Sequence, residues 1–468
     1  MRSTLLSRRA GDTEDSIRGT SDSVGSSEWL DWAERDFRTS GPDASGAAMA
    51  LPLDAAPGWR WLASPRVRRA GLTVLLLELV LLIGFVAVYR PFDLNIYLWG
   101  GRAVTHGLHL YLVQADANWF TYPPFAATLF TPLTGIPALL GRLAWELGSV
   151  AALAWACVLT VRLAGYRATW SVIAAMVAAA FLLEPMYHTL YLGQVNLFLM
   201  ALVLADLWRV SRGRPAGVGI GVAAAIKLVP GIFIVLLLLT RRTRDAVIAA
   251  ATFAACGAIG YLVDPSASRL YWTRLFYNTK RVSDAYISNQ SPYAAVVRIF
   301  GGGSHVGSWY LVVPLILGGA GLAVSSVLAR RGDWLGAAAV TGTTGLLVSP
   351  ISWTHHWVWI LPALVVLVRG GARARVAAVC AYLLFVLAPM WWTPHPARPG
   401  PAQYGFHWVT TLIANSFLIA GLAFLVYMAV WTWLGGANGQ GQRAVRGEAV
   451  ADEAEYERLL EPQLEHSS

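Results

Sequence analysis

The stretch GLTVLLLELVLLIGFVAVY, from Gly71 to Tyr89, decides the class of the protein. It is close to the ~20 residues that an α-helix needs to cross the hydrocarbon core of a bilayer, and Glu78 is its only charged residue. Arg66, Arg68 and Arg69 precede it, so the positive-inside rule places its start in the cytoplasm and the residues after it outside. This stretch therefore predicts a membrane-spanning helix.

Similar apolar runs recur along the chain, in which 56% of the residues are hydrophobic and 13% are charged, against about 25% charged in soluble domains. A soluble protein is thereby excluded. We expect an all-α polytopic bundle of about twelve spans with interfacial helices and both termini in the cytoplasm. The spans are expected near residues 71–89, 139–163, 170–187, 195–208, 216–226, 228–239, 246–263, 309–328, 334–349, 356–368, 376–392 and 409–434. Lys227 and Pro230 interrupt residues 216–239, which predicts a bent pair of helices that ends near mid-membrane.

The net charge of +9 arises from 36 basic and 27 acidic residues. The arginines cluster between apolar runs, as expected for cytoplasmic loops, so nucleic acid is not an expected partner. Cys157, Cys256 and Cys380 all lie in apolar runs and form neither a disulfide framework nor a metal-binding cluster. We expect them to be packing residues.

The two ends of the chain are polar and lack an apolar period. We expect residues 1–68 and 436–468 to be disordered and cytoplasmic, and residues 69–435 to form the catalytic domain. The predicted topology leaves four unusual segments on the outer side, at residues 90–138, 264–308, 349–357 and 393–407. These segments hold most of the polar chemistry.

Asp93 lies a few residues beyond the outer end of the first span. A carboxylate beside apolar helices is partly desolvated, which favours a general base that takes a proton from an attacking hydroxyl. A solvated loop acid or a helix cap explains the same position.

His355 and His356 stand between two apolar runs and are flanked by Trp353. One imidazole can donate to a phosphate or relay a proton, and the tryptophan can stack on a sugar. A structural pair bonded to backbone or lipid head groups is the alternative. A metal is not expected, since adjacent histidines rarely share one ion and no matching ligand motif accompanies them.

Lys280 and Arg281 are cations on the outer side, against the positive-inside trend, and predict an anionic partner such as a phosphate. Arg102 is assigned to the same phosphate from its charge and side of the membrane. Simple solvated charge is the alternative for all three. Further substrate-binding candidates on the outer side are Asn289, Gln290, Tyr122 and Trp353.

Five polar residues lie in apolar context and are expected to pair inside the protein or to line its cavity: Glu184, Gln194, Asn196, Asp206 and Lys227. The chain has no Walker A sequence, dinucleotide-binding glycine motif or nucleophile elbow in a suitable context. A nucleotide sugar or ATP is therefore not an expected substrate.

Seven short motifs in order resemble glycosyltransferase family 87, whose members have the GT-C architecture, over about residues 70–434. The motifs are DLNIY (93–97), WGG (99–101), TYPPF (121–125), GQVN (193–196), AIKLVP (225–230), NQS (289–291) and SPISWTHHW (349–357). The resemblance implies a GT-C helical bundle and a polyprenol-phosphate-mannose-dependent α-(1→2)-mannosyltransferase. It also implies that Asp93 is the family's essential outer-loop aspartate and that His355 or His356, with a preference for the latter, is its important histidine.

The implied activity is inverting transfer of mannose, at the periplasmic face of the plasma membrane, from a polyprenyl-phosphate-mannose donor to a lipid-anchored mannoside. Phosphatidylinositol mannoside and lipomannan are the expected acceptors, and no cofactor or metal is expected. The competing functions are an arabinofuranosyltransferase of the same family, a lipid-linked saccharide flippase or transporter, and a non-enzymatic scaffold for envelope biosynthesis.

Overall fold

The computed structural model describes residues 64–115, 118–278, 281–395 and 403–434. Within these ranges the chain is helical, and its only extended pairings are two isolated bridges. The α-helices are α1 (Pro65–Val88), α2 (Phe92–Thr105), α3 (Pro124–Phe130), α4 (Ala138–Leu163), α5 (Trp170–Phe181), α6 (Glu184–Leu192), α7 (Asn196–Ser211), α8 (Val218–Ile226), α9 (Ile232–Leu239), α10 (Thr243–Val263), α11 (Pro265–Leu270), α12 (Pro292–Phe300), α13 (Val312–Arg330), α14 (Trp334–Val348), α15 (Ile360–Val368), α16 (Ala372–Leu387), α17 (Trp408–Ala414) and α18 (Ser416–Trp433). The predicted all-α class is confirmed.

Five helical segments of the described chain are long and apolar enough to cross a membrane: Pro65–Val88, Ala138–Leu163, Thr243–Val263, Ser308–Arg330 and Ser416–Trp433. A sixth is possible if α5 and α6, which are bent by 78°, form one broken span. Helices are present at the other predicted positions, but they are shorter. The expected number of about twelve spans is not confirmed.

Helix α1 shows how the apolar helices meet their surroundings. Leu76, Leu77, Val80 and Leu81 are all about 60% exposed. Such a row of exposed leucine and valine would be costly in water, whereas hydrocarbon is a good solvent for it. This lateral face fits a helix that contacts lipid.

The first helix begins earlier than expected. Its N-cap is Ser64, whose side-chain oxygen accepts a hydrogen bond from the amide of Val67, and Pro65 occupies the first turn. Residues 65–68, which the sequence placed in a disordered segment, are therefore helical. Residues 1–63 and the predicted tail at 436–468 lie outside the described residues.

Helix α14 runs through the centre of the bundle and is buried along almost its whole length. Small residues allow its neighbours to approach closely: a Cβ atom on Gly321 of α13 would overlap Thr344, and one on Gly342 would overlap the ring of Trp359. The segment Ser349–Trp353 follows α14 and enters the short 3₁₀ helix Thr354–Trp359. The predicted histidine pair is thereby held in the interior.

Three breaks in the helices place polar backbone and side chains inside the protein. Helix α6 ends at Gly193, whose φ of +69° is a left-handed conformation that glycine adopts without strain. Helix α8 ends at Lys227, where the backbone becomes extended before the 3₁₀ turn Val229–Gly231. The predicted break within residues 216–239 is confirmed. The third break is Ser349–Trp353, before the histidine pair.

Candidate active site

Asp93 stands in the first turn of α2, outside the helices that are long enough to span a membrane. Its Oδ2 accepts a hydrogen bond of 2.7 Å from Nε2 of Gln194, which lies in the break after α6. Part of the Asp93 side chain remains accessible. Burial by the surrounding protein raises its pKa from 3.8 to about 6, against the opposing effects of the Gln194 hydrogen bond and of the charges on Lys227 and His188. A base with this pKa takes up a proton more readily than an ordinary aspartate.

The Gln194 amide is held on both sides. Its Oε1 accepts a hydrogen bond of 2.7 Å from the hydroxyl of Tyr97, and its Nε2 also lies 2.9 Å from the hydroxyl of Tyr122. The two tyrosine hydroxyl oxygens are 3.0 Å apart. The break at Gly193 is anchored by Trp145, whose indole N–H donates to the Gly193 carbonyl at 2.8 Å. These contacts fix the orientation of the amide that faces Asp93.

Lys227, Asn196 and His356 form a second set of polar contacts, in addition to those around Asp93. The Nζ of Lys227 donates to Oδ1 of Asn196 at 3.0 Å and lies 2.8 Å from Nε2 of His356. An ammonium group only donates hydrogen bonds, so the Nε2 of His356 is the acceptor in this arrangement. The same Nζ lies 5.7 Å from the centre of the Tyr122 ring, within range of a cation–π interaction. Lys227 is therefore held by neutral groups, and no carboxylate of the described residues forms an ion pair with it.

The two histidines have different environments. His356 lines a cavity and contacts Lys227, whereas both ring nitrogens of His355 are buried without a hydrogen-bond partner among the described residues. The backbone carbonyl of His355 is used instead, since it accepts hydrogen bonds from Asn196 at 2.7 Å and Thr189 at 3.1 Å. This geometry favours His356 as the histidine that can meet a ligand.

A cavity of about 470 Å³ extends from Lys227 and His356 towards Arg281. Tyr122 and Trp353, two predicted substrate-binding residues, also line it. The remaining lining residues are Tyr111, Phe120, Thr121, Pro123, Leu228, Val229, Ile232, Tyr271, Leu275, Phe276, Tyr277, Asn278, Val282, Gly345, Val348, Ser349, Pro350 and Ile351. The walls are thus mainly apolar and aromatic, with the cations Lys227 and Arg281 among them, which suits a phosphate attached to an isoprenoid chain.

Arg281 is positioned by its neighbours. Its Nη1 donates to the Tyr111 carbonyl at 2.7 Å, and its guanidinium lies 4.5 Å from the centre of the Trp119 ring. Lys280 lies outside the described residues. Arg102 is exposed near the end of α2 and, unlike Arg281, does not line the cavity.

The sequence predicted that Asn289 and Gln290 bind substrate directly, whereas in the structure both side chains bond to the backbone of the protein. Both side chains are fully buried. The Asn289 amide donates to the carbonyls of Asp284 and Pro350, and its oxygen accepts from the amides of Ser291 and Ser352. The Gln290 amide donates to two carbonyls and accepts from one backbone amide. Because their hydrogen-bonding capacity is used by the backbone, these residues hold the loops that carry Trp353 and the histidines.

From the sequence, Gln194 and Lys227 were expected to pair inside the protein or to line its cavity, and they belong to the motifs GQVN and AIKLVP. They were not assigned a catalytic or phosphate-binding role. Among the described residues, no group of three or more histidine, cysteine, aspartate or glutamate side chains could hold a metal ion.

Comparison with known proteins gives this site a chemical context. The model of glycosyltransferase family 87 matches residues 120–350. A protein of Mycobacterium tuberculosis (strain CDC 1551 / Oshkosh) is 35% identical over 395 residues, which cover 79% of this chain and 90% of that protein. It is named polyprenol-phosphate-mannose-dependent alpha-(1-2)-phosphatidylinositol pentamannoside mannosyltransferase. The chain belongs to glycosyltransferase family 87.

Two further relatives have names of the same kind. A protein of the same name from Mycolicibacterium smegmatis is 34% identical and covers 72% of this chain and 84% of its own length. A third relative, from Mycobacterium tuberculosis (strain ATCC 25618 / H37Rv), is 32% identical over 71% of this chain and 83% of its own length. It is named polyprenol-phosphate-mannose-dependent alpha-(1-2)-phosphatidylinositol mannoside mannosyltransferase. No solved structure matches the chain significantly. Family 87 membership confirms the predicted resemblance and makes the protein a glycosyltransferase.

Proposed function

We propose that the protein transfers mannose from polyprenyl-phosphate-mannose to a phosphatidylinositol mannoside or a longer lipid-anchored mannoside, with inversion and formation of an α-(1→2) linkage. The observation that carries the proposal is the position of the Asp93 carboxylate, which is linked through Gln194 to Tyr122, beside a mainly apolar cavity that Tyr122, Lys227 and His356 line. The names of the relatives supply the donor and acceptor classes.

Asp93 acts in this proposal as the general base. The acceptor hydroxyl attacks C1 of the donor mannose, its proton passes to the Asp93 carboxylate, and the bond between C1 and the phosphate oxygen breaks. The raised pKa of Asp93, about 6, improves the proton affinity of the base while leaving it mostly ionised at neutral pH. A single displacement converts a β-linked donor into an α-linked product, and it needs no covalent enzyme intermediate.

Lys227, His356 and Arg281 act on the leaving phosphate. Charge on the phosphate grows as its bond to mannose breaks, so a positioned ammonium or guanidinium stabilises the transition state more than the ground state. No described carboxylate lies within ion-pair distance of Lys227, although Asp93 is close enough for their charges to interact. The apolar walls of the 470 Å³ cavity would hold the first isoprene units.

The reaction is proposed to take place on the periplasmic side of the plasma membrane, with both termini in the cytoplasm. Arg66, Arg68 and Arg69, in the first residues of α1, support a cytoplasmic N-terminal end of this helix through the positive-inside rule. A lipid-linked donor and a lipid-linked acceptor can both reach a site near the membrane surface by lateral diffusion.

The test is transfer by the purified full chain in liposomes, with synthetic polyprenyl-phosphate-mannose and a phosphatidylinositol mannoside acceptor. The expected product carries one more mannose in α-(1→2) linkage, identified by NMR. Product from polyprenyl-phosphate-arabinose and none from the mannose donor would assign the protein to the competing sugar. Absence of product from both donors, with movement of lipid-linked saccharide across the bilayer, would support a flippase instead.

A further inference from the structure

His188 is a further histidine close to Asp93, and it does not line the cavity. His188 lies one turn after Glu184 on α6, and its Nδ1 is 2.8 Å from Glu184 Oε1. The Glu184 side chain is fully buried, and the same oxygen accepts a hydrogen bond of 3.0 Å from the indole N–H of Trp391. A carboxylate accepts, so Nδ1 of His188 is the proton-bearing nitrogen. Thr354 lies 3.1 Å from this nitrogen and completes its surroundings.

This arrangement leaves Nε2, on the other edge of the His188 ring, available. The Nε2 atom forms no hydrogen bond with any described residue, and 16% of the side chain is exposed. An imidazole that is fixed at Nδ1 by a buried carboxylate, with an open Nε2, is arranged to accept a hydrogen bond from a ligand hydroxyl. Neither Glu184 nor His188 lines the cavity that contains Lys227.

An aromatic surface continues from His188. The rings of His188 and Tyr191 are 6.0 Å apart, and Tyr191 stacks on Tyr89 at 4.8 Å. Tyr89 in turn stacks on Phe85 at 4.6 Å. Tyr191 is 42% exposed, and Tyr89 directly follows the membrane helix α1. Aromatic residues at this level of a membrane protein lie among lipid head groups, where the sugars of a glycolipid also lie.

These residues approach Asp93 from outside the donor cavity. Neither Asp93 nor His188, Tyr89 or Tyr191 lines the 470 Å³ cavity that contains Lys227. His188 and Tyr89 are nevertheless both close enough to Asp93 to interact with its charge. Asp93 therefore lies between two sets of side chains, one cationic and one aromatic.

We propose that His188, oriented by Glu184, and the surface of Tyr191 and Tyr89 bind the sugar of the lipid-anchored acceptor next to Asp93. The identity of the acceptor as a mannoside rests on the proposed function. Sugar rings combine apolar C–H faces with hydroxyl groups, so they bind where an aromatic surface adjoins a fixed hydrogen-bonding group. His188 would orient the attacking hydroxyl towards the base, while the donor occupies the cavity beyond Tyr122.

The first test measures acceptor binding without donor, so that it does not depend on catalysis. Phosphatidylinositol mannoside in detergent is titrated into wild type and into His188→Ala, and tryptophan fluorescence gives Kd. Loss of one hydrogen bond and its contact should raise Kd about tenfold. His305→Ala, which removes an exposed histidine from the 3₁₀ turn Gly303–His305, is the matched control and should leave Kd unchanged.

The second test separates the two substrates kinetically. His188→Ala should raise the KM for the acceptor about tenfold and leave the KM for the donor unchanged. Tyr191→Ala removes an exposed ring without opening the core and should weaken acceptor binding several-fold, whereas Tyr191→Phe retains the surface and should bind like wild type.

The outcomes are distinguishable from failure of the proposed function. Weaker acceptor binding by His188→Ala in a protein that uses another donor sugar would support this site and contradict the proposed donor. Unchanged acceptor binding in both His188→Ala and Tyr191→Ala, or no binding by wild type, would overturn the inference. A donor KM that rises with an unchanged acceptor KM would also overturn it.

Discussion

Replacement of Gln194 by methionine should move the pH dependence of transfer. The Gln194 N–H donates to the Asp93 carboxylate at 2.7 Å and stabilises its charged form. A hydrogen bond to a charged group contributes about 1.5–3 kcal/mol, and one pKa unit corresponds to about 1.4 kcal/mol. Burial already raises the pKa of Asp93 to about 6. Loss of the hydrogen bond should raise this pKa further, and so shift the acidic limb of the pH–rate profile upward by about one to two pH units.

The sign of the effect follows from the role of the base. Activity requires the ionised carboxylate, so wild-type activity should fall as the pH drops through about 6, and the variant should lose activity already near neutral pH. The assay is kcat/KM for mannose transfer between pH 5 and 9, with thermal unfolding as a check on folding. His305→Ala is the control, because it removes an exposed side chain of the turn Gly303–His305 that does not line the cavity. An unshifted limb in Gln194→Met, or a flat profile in wild type, would refute the reasoning.

Three further substitutions probe the site and its supports. Lys227→Met should lower kcat/KM for the donor about 10- to 100-fold, because a charge-assisted contact with phosphate is lost, and Lys227→Arg should restore part of it. Equal kcat/KM in wild type and both variants would contradict the phosphate role. Gly193→Ala should destabilise the fold by about 2–4 kcal/mol, because φ is +69° and the new Cβ would lie 2.8 Å from those of Leu94 and Pro91; an unchanged unfolding temperature would contradict this. Asn289→Ala should lower the free energy of unfolding by about 1–3 kcal/mol, and with it the unfolding temperature, because the buried Asn289 amide joins two loops. A change in KM with an unchanged unfolding temperature would instead indicate a residue that only binds substrate.

The sequence predicts the helical class because apolar runs of membrane length need no knowledge of packing. The expected number of about twelve spans is not confirmed, because several of the apolar runs form helices shorter than a membrane span. The turn at Leu182 and Leu183, with Pro185 after it, bends an apolar stretch by 78°. Lys227 ends α8 in the same way. Such breaks are tolerated where their polar groups meet protein partners.

The site is predictable in part. Asp93, His356 and Arg281 stand out because a charge or an imidazole beside a membrane helix requires a reason, and the structure gathers the polar groups around them. The sequence alone does not show the contacts between distant residues. Gln194 bonds to Asp93, 101 positions away, and Lys227 contacts His356, 129 positions away, only after folding. Asn289 illustrates the opposite error, since a polar outer-loop residue resembles a ligand until its backbone partners are known.

Asp93→Asn is the most direct test of the central claim. Transfer of mannose to phosphatidylinositol mannoside by wild type, Asp93→Asn and the control Asp264→Asn should be measured in liposomes, with thermal unfolding recorded for each. Asp264 is a helix N-cap whose Oδ1 accepts from the Ala267 amide, and asparagine can replace it in that role. The account predicts normal transfer by wild type and Asp264→Asn and a loss of at least about 100-fold in a folded Asp93→Asn protein. Transfer by Asp93→Asn at the wild-type rate would contradict it.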